Sequence, residues 1–305
     1  MERLLKLNRL MPRWKVLESR SRFLMFVLEG TTESFVRVLL RIMTEEVPTI
    51  AIHEVVIETN SSFLSDSFLA QRLRFIPLTS DLANLMYYST ECPNCNGRGY
   101  CHLCSVEFRL SAKCVAGDVT SKDLVTSNPS VLPFDFFDPT GTAIVKLKPG
   151  EELTLKAIAR KGIGKDHIKW SPLAATSAKY FCPSDIRINE ELMETLTLEQ
   201  KKQWVASYPT DLFQVDPQTQ KVVLCRPGNG YHNMPLNPEA RGVIEVFEKK
   251  DTFVFTVETT GALKASQLLM NALAILKRKL LSFRVLEDHF LDHDLAGIDK
   301  LDSEN

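Results

Sequence analysis

The stretch from Thr31 to Leu78 constrains the fold most, because its hydrophobic period changes repeatedly in under fifty residues. Phe35, Val38, Leu39, Ile42 and Met43 recur at helical spacing behind a Thr-rich start with Glu33 and Ser34. The stretch therefore opens with an amphipathic helix, which Pro48 stops. From Thr49 to Thr59, Ile50, Ile52, Val55 and Ile57 form a β-branched strand pattern, ended by Asn60, Ser61 and Ser62 as a turn. Leu64 to Leu73 resumes a helical repeat, closed by Pro77. Helix, strand and helix in such close succession predict an α+β chain.

The flanks supply the rest of that unit. Val16 to Leu28 alternates, with Phe23, Met25 and Val27 on one side and Leu24, Phe26 and Leu28 on the other, which predicts a strand buried on both faces. Near the far end, Thr252 to Glu258 reads as a strand and Ala262 to Leu286 as a long helix carrying Leu263, Leu268, Leu269, Leu273, Ile275, Leu276, Leu280, Leu281 and Phe283. An apolar arc that wide needs cover on two sides. Pattern alone leaves two readings open, the central helix of a monomeric core and a helix shared with a second chain.

Cys92, Cys95, Cys101 and Cys104 stand as two Cys-x-x-Cys pairs in CPNCNGRGYCHLC. Each pair presents two thiolates from a tight turn, Gly97 and Gly99 let the link fold back, and four sulfurs close a tetrahedral shell around one structural zinc. A closed shell has no open position at which to activate water. A redox dithiol would need only one pair, and although the substring CPNCNGRG resembles half of a chaperone-type zinc repeat, that module needs four such halves and this chain has one. His102 is an alternative fourth ligand.

Beyond the cysteines, Glu107 to Lys113, Gly141 to Leu147 and Glu152 to Ala159 read as strands, the last two joined by a turn at Pro149 and Gly150. Lys156, Arg160, Lys161, Lys165 and Lys169 gather around Trp170, a pattern shared by solvated faces and nucleic-acid patches. From Ser184 to Pro238 the chain is polar and proline-rich, apart from a helix around Thr197 to Ala206 and short strands at Leu212 to Val215 and Val222 to Cys225. His289, Asp292 and His293 read as a solvated helix end rather than a metal site.

The whole-chain balance adds little: 37 basic against 38 acidic residues give a net charge of −1, so any role on nucleic acid has to be local. No run approaches the roughly 20 apolar residues of a spanning helix, and Met1 to Leu10 is too charged for a secretory core. Seven cysteines, four of them bunched, fit a reducing compartment. The sequence holds no phosphate loop, no GxGxxG, no HExxH, no GxSxG and no acidic cluster for catalytic magnesium. An enzyme is therefore a poor reading.

The runs VPTIAI, VVIETN and DSFLAQRLRFIPL, with SKDLVTSN (Ser121 to Asn128) and RKGIGKDHIKW (Arg160 to Trp170), resemble the third-largest-subunit family of eukaryotic RNA polymerase II, related to the archaeal D subunit and the bacterial alpha amino-terminal domain. The cysteine loop sits where that family has one, followed by SVEF and Cys114. The resemblance implies an alpha-like dimerisation domain over 1–47 and 178–291, interrupted at 48–177 by a strand-rich inserted domain with the zinc loop, and a tail over 292–305. It implies a non-catalytic scaffold in the nucleus, pairing with the smaller alpha-like subunit through Phe35, Val38, Leu39, Ile42, Leu269, Leu273, Leu276 and Leu280. Docking onto the second-largest and largest subunits is expected through Arg41, Lys161, Lys165 and Trp170, without sequence-specific nucleic-acid contact and without a membrane. The family's helix reads Asn-Ser-Leu-Arg-Arg where this chain has Arg37, Val38, Leu39, Leu40 and Arg41, so only Leu39 and Arg41 match. An archaeal-type D subunit and a free-standing zinc-stabilised nucleic-acid-binding protein are the rival readings.

Overall fold

The computed structural model describes residues 12–113, 117–135, 141–174, 178–181, 184–207, 213–224, 244–249 and 251–301. In chain order the elements begin with β1 (Arg13–Ser19), β2 (Phe23–Glu29), α1 (Glu33–Glu45), β3 (Thr49–Asn60) and α2 (Asp66–Arg74). The middle of the chain gives β4 (Ser105–Lys113), β5 (Gly117–Thr120), β6 (Val125–Thr126), β7 (Ala143–Leu147) and β8 (Glu152–Gly162). There follow β9 (Lys179–Phe181), β10 (Ser184–Ile188), α3 (Glu190–Glu194), α4 (Leu198–Ala206), β11 (Phe213–Val215), β12 (Val222–Leu224), β13 (Ile244–Glu248), β14 (Thr252–Glu258) and α5 (Ala265–Leu301).

The chain divides into two compact units. In the first, a four-stranded sheet runs β1-β2-β14-β9, with β10 paired to β13 and β11 to β12 beside it. Its centre is aromatic: the Phe26 and Phe255 rings stack with centroids 4.8 Å apart, and Tyr180 lies tilted against Phe255. Pairing of β10 with β13 was not expected from the sequence.

The expected single strand from Val16 to Leu28 is two. Arg20, Ser21 and Arg22 interrupt the apolar pattern, and the Arg20 N–H returns to the Phe23 carbonyl at 2.7 Å to close the turn. On β2 Leu24, Phe26 and Leu28 are buried, whereas Phe23, Met25 and Val27 are half-buried; on β1 Trp14, Val16 and Leu17 are exposed. Burial on both faces therefore fails as an expectation for the first half of that run.

The second unit is organised on the antiparallel sheet β3-β8-β4-β6, with β5 and β7 forming a separate pair. One face of β3, β4 and β8 sends Ile50, Ile52, Val106, Phe108, Leu153 and Leu155 into a core that α2 covers with Leu69 and Leu73. The period-2 alternation along β8 switches to continuous burial at Ala157, Ile158 and Ala159. After β8 the chain folds back on the end of α1. Gly164 packs so closely on the Thr44 carbonyl that no side chain fits there, and the Lys165 N–H donates to the Glu45 carbonyl at 2.9 Å. With the Glu46 and Val47 N–H groups both donating to the Ile42 carbonyl, this backbone contact helps to satisfy the end of α1.

The far helix is longer than its pattern predicts. α5 begins at Ala265 rather than Ala262 and continues to Leu301, through residue 292, where a tail was expected to start. The side chains of His289, Asp292 and His293, and all of Cys114, lie outside the described residues.

Candidate functional site

The four cysteines converge. Every Sγ of Cys92, Cys95, Cys101 and Cys104 lies within 4.8 Å of the others. The closest approaches are 3.4 Å for Cys92 to Cys101, 3.5 Å for Cys101 to Cys104 and 3.6 Å for Cys95 to Cys104. A tetrahedron with metal–sulfur bonds of about 2.3 Å has edges just under about 4 Å, so the donor set fits a thiophilic ion. His102 is not part of the cluster.

Local backbone chemistry explains the convergence. Asn96, Gly97 and Gly99 all take positive φ, which turns the link between the pairs back on itself. The Gly99 N–H donates to Cys95 Sγ at 3.2 Å, and the Cys101 carbonyl accepts from the N–H groups of Cys104 and Ser105. Cys92 and Cys104 are buried, the other two half-buried. At Cys101 burial opposes ionisation, but hydrogen bonds from Asn94, Cys92 and the Leu103 backbone outweigh it and lower the thiol to about 6. Burial pushes the Cys104 thiol up to about 12.

Three of the basic residues, Lys156, Arg160 and Lys161, lie on β8 itself and are engaged by this chain's own groups. Arg160, with a side chain only 13% exposed, donates from Nε to the Gly99 carbonyl and pairs with Glu54 at 3.2 Å. The Tyr100 hydroxyl donates to the same Glu54 carboxylate at 2.7 Å, and its ring lies 4.9 Å from the Arg160 guanidinium. Lys156 pairs with Glu107 at 2.7 Å. Lys161 donates to the Met86 carbonyl at 2.9 Å and sits over the Tyr88 ring. The Arg160–Glu54 clamp was invisible in the sequence, since 106 residues separate its two members.

Trp170 is 7% exposed. Its indole N–H donates to the Arg160 carbonyl at 3.0 Å, its own carbonyl accepts from Thr49 Oγ1 at 2.7 Å, and its ring lies where a Cβ at Gly162 would be. The indole is thus held by this chain's own strands β3 and β8. Lys165 is exposed, and Arg41 reaches solvent while pairing with Glu46 at 3.3 Å; Lys279 of α5 meets the same carboxylate at 2.6 Å.

The residues expected at a dimer seam separate into classes. Leu39 and Ile42 are completely buried within the chain, and Leu276 nearly so. Phe35, Leu269 and Leu273 are half-buried, while Val38 and Leu280 are exposed, joined by Met270, Leu281 and Phe283. No helix among the described residues is long and apolar enough to cross a membrane.

The chain has relatives among known proteins. The family described as the RNA polymerase Rpb3/Rpb11 dimerisation domain matches residues 25–280, from within β2 to within α5. The chain is 48% identical over 300 residues to the DNA-directed RNA polymerases IV and V subunit 3B of Arabidopsis thaliana, covering 93% of each. It is 38% identical over 284 residues to the DNA-directed RNA polymerase II subunit rpb3 of Dictyostelium discoideum, covering 88% of this chain and 92% of that one. It is 32% identical over 261 residues to the DNA-directed RNA polymerase subunit Rpo3 of the archaeon Methanosphaera stadtmanae, covering 83% and 90%. With relatives from a plant, an amoeba and an archaeon each aligned over most of their length, and a family profile spanning both compact units, the chain belongs to the Rpb3/Rpb11 dimerisation-domain family of RNA polymerase subunits.

Proposed function

We propose that this chain is a non-catalytic assembly subunit of a nuclear DNA-directed RNA polymerase of the polymerase II class. In this reading it pairs with the smaller alpha-like subunit and docks the pair onto the second-largest and largest subunits. The observation that carries the proposal is alignment over nearly the full length of relatives named as polymerase subunits 3. Identity of 48% to a plant subunit against 32% to the archaeal Rpo3 favours the eukaryotic class over an archaeal-type D subunit.

The seam is assigned to the side chains that remain in solvent. Val38 on α1, with Phe35 a turn earlier, and Leu269, Leu273, Leu280 and Leu281 on α5 present apolar surface whose exposure costs about 25 cal/mol for each Å². Leu39, Ile42 and Leu276 support that face from behind. Residues 1–47 and 178–291 form the dimerisation domain in this proposal, and 48–177 the insert. Docking to the large subunits falls to the solvent-reaching Arg41 and Lys165, with Lys161 and Trp170 stiffening the loop from within.

Zinc is the proposed ion for the cysteine quartet, one per chain and structural, because four thiolates at this spacing suit it and leave no position for substrate. A free-standing nucleic-acid-binding role is disfavoured by the basic run itself, since Lys156 and Arg160 are already paired with carboxylates. Co-expression with the smaller alpha-like subunit tests the proposal. A soluble one-to-one complex is expected, and a stable monomer whose sedimentation is unchanged by that subunit would refute it.

A further inference from the structure

Apart from the cysteine loop, a cleft of about 410 Å³ opens beside the 3-10 turn Ile168–Trp170, with His53, Tyr88, Lys161, Asp166 and Lys169 in its lining. His53 is the extra residue of a β-bulge: the β3 to β8 register shifts between Ile52, opposite Ala159, and Glu54, opposite Ile158. Its Nδ1 lies 3.1 Å from the Lys169 ammonium, which also sits 4.2 Å over the Trp170 ring. Arg74, the last residue of α2, adds its charge to both groups, and its Nε is buried without a hydrogen-bond partner.

The cluster lacks a counter-charge. Glu54 is taken by Arg160 and Tyr100, and Asp166 stands on the Tyr88 side, where burial first and this carboxylate second raise the phenol. Among the described residues no carboxylate pairs with Lys169 or Arg74. Burial, with Arg74 and Arg160 alongside, holds Lys169 down to about 8. Burial and then the Lys169 charge lower His53, which suits its Nδ1 to accept from the ammonium. On the neighbouring sheet Lys113, Lys156 and Arg160 each reach a carboxylate, and Lys161 reaches the Met86 carbonyl, whereas Lys169 has only the His53 and Trp170 rings and Arg74 keeps a buried Nε without a partner. Cations half removed from water need a partner charge to offset their lost hydration.

We propose that this cleft receives a carboxylate side chain, an Asp or Glu on an acidic loop of another polymerase subunit, seated against Lys169 while Arg74 adds its charge from the end of α2. The inference rests on the subunit reading above. Charge complementarity argues for the occupant: a carboxylate gives the ammonium a charge-assisted hydrogen bond beside a neighbouring guanidinium. The bulged His53 then keeps Lys169 aimed by accepting one of its three protons.

The test uses the polymerase assembly purified through this chain, with the chain outside the assembly as reference. Acylation by a small amine reagent, read by mass spectrometry, should label Lys169 in the reference and fall at least about tenfold in the assembly, with exposed Lys146 as internal control. Zero-length carbodiimide coupling should join Lys169 to an Asp or Glu of another subunit. His53→Asp, which supplies a carboxylate from within, should raise the melting temperature of the chain and cut that coupling about tenfold. Equal labelling in both states, coupling confined to this chain's own acids, or coupling unaffected by His53→Asp would each overturn the inference. So would protection of Lys169 in the reference by a single-stranded RNA oligonucleotide, which would make the occupant a phosphate. A chain that enters no assembly refutes the subunit reading, whereas an assembled chain with Lys169 unshielded refutes only this one.

Discussion

Arg160 donates from Nε to the Gly99 carbonyl across 3.0 Å, and its Cζ stands 2.7 Å from where a Cβ on residue 99 would be. The central strand β8 and the link between the two Cys-x-x-Cys pairs are therefore fitted to each other. A side chain at 99 would meet both a guanidinium and an unfavourable positive φ of 75°.

Arg160→Ala should loosen the cysteine loop while leaving its ligands in place. The change leaves the Glu54 carboxylate with Tyr100 alone and strands the buried Gly99 carbonyl, a loss of about 1–3 kcal/mol. Transfer of zinc to a colorimetric chelator should speed up, with the assembled heterodimer retained. An unchanged rate would show that the clamp is ornamental.

Elemental analysis of protein purified without added metal is expected to find about one zinc per chain. Cys92→Ser should abolish that stoichiometry and raise hydrogen exchange between residues 89 and 105, leaving pairing through α1 and α5 intact. An iron-sulfur chromophore, or four freely titratable thiols in the wild type, would contradict it.

Leu39→Asp and Leu280→Asp should fail differently. Leu39 is 0% exposed, so the aspartate would be buried unpaired and the chain should unfold or fail to express. Leu280 is 59% exposed; its aspartate should leave the isolated fold intact, measured by circular dichroism, and abolish the complex with the smaller subunit. Loss of pairing in Leu39→Asp with a native melting temperature would reverse this assignment.

Gly162→Ala would drive a methyl group into the Trp170 indole, destabilising the chain by about 1–3 kcal/mol as other overpacking substitutions do. Thermal melting would show this as a lowered midpoint. Retention of the wild-type midpoint would mean the loop from Ile163 to Trp170 yields more easily than its hydrogen bonds imply.

Stability should also depend on alkaline pH through Lys169. Its ammonium is held at about 8 in the fold against 10.5 in the open chain, so between those values the unfolded state binds more protons and stability rises with pH. Lys169→Met should flatten that rise relative to wild type in denaturant titrations at pH 7.5 and 10. Identical pH slopes would remove Lys169 as the source.

Much of this was legible locally. The cysteine quartet was readable because two pairs and two glycines within thirteen positions leave few ways to arrange four sulfurs. β3, α2, β14 and the core of α5 followed from period alone. Roles that depend on distant partners were not readable. Trp170 looks like an exposed recognition residue in a basic string, and only the space left by Gly162 reveals it as core. Leu39 and Val38 are adjacent and both apolar, yet one faces inward and the other outward. The hairpin at Arg20 to Arg22 was missed because strong alternation on either side masked a short polar break.

The cap on α1 sets an order for biosynthesis. The Thr44 and Glu45 carbonyls find their contacts in Gly164 and Lys165, residues that leave the ribosome only after the whole cysteine loop and β8 have been made. Until then these carbonyls at the last turn of α1 are left to water. The helix proposed to meet the smaller subunit thus reaches its final form only once the insert is synthesised, and a ribosome stalled before Gly164 would hold a chain unready to pair.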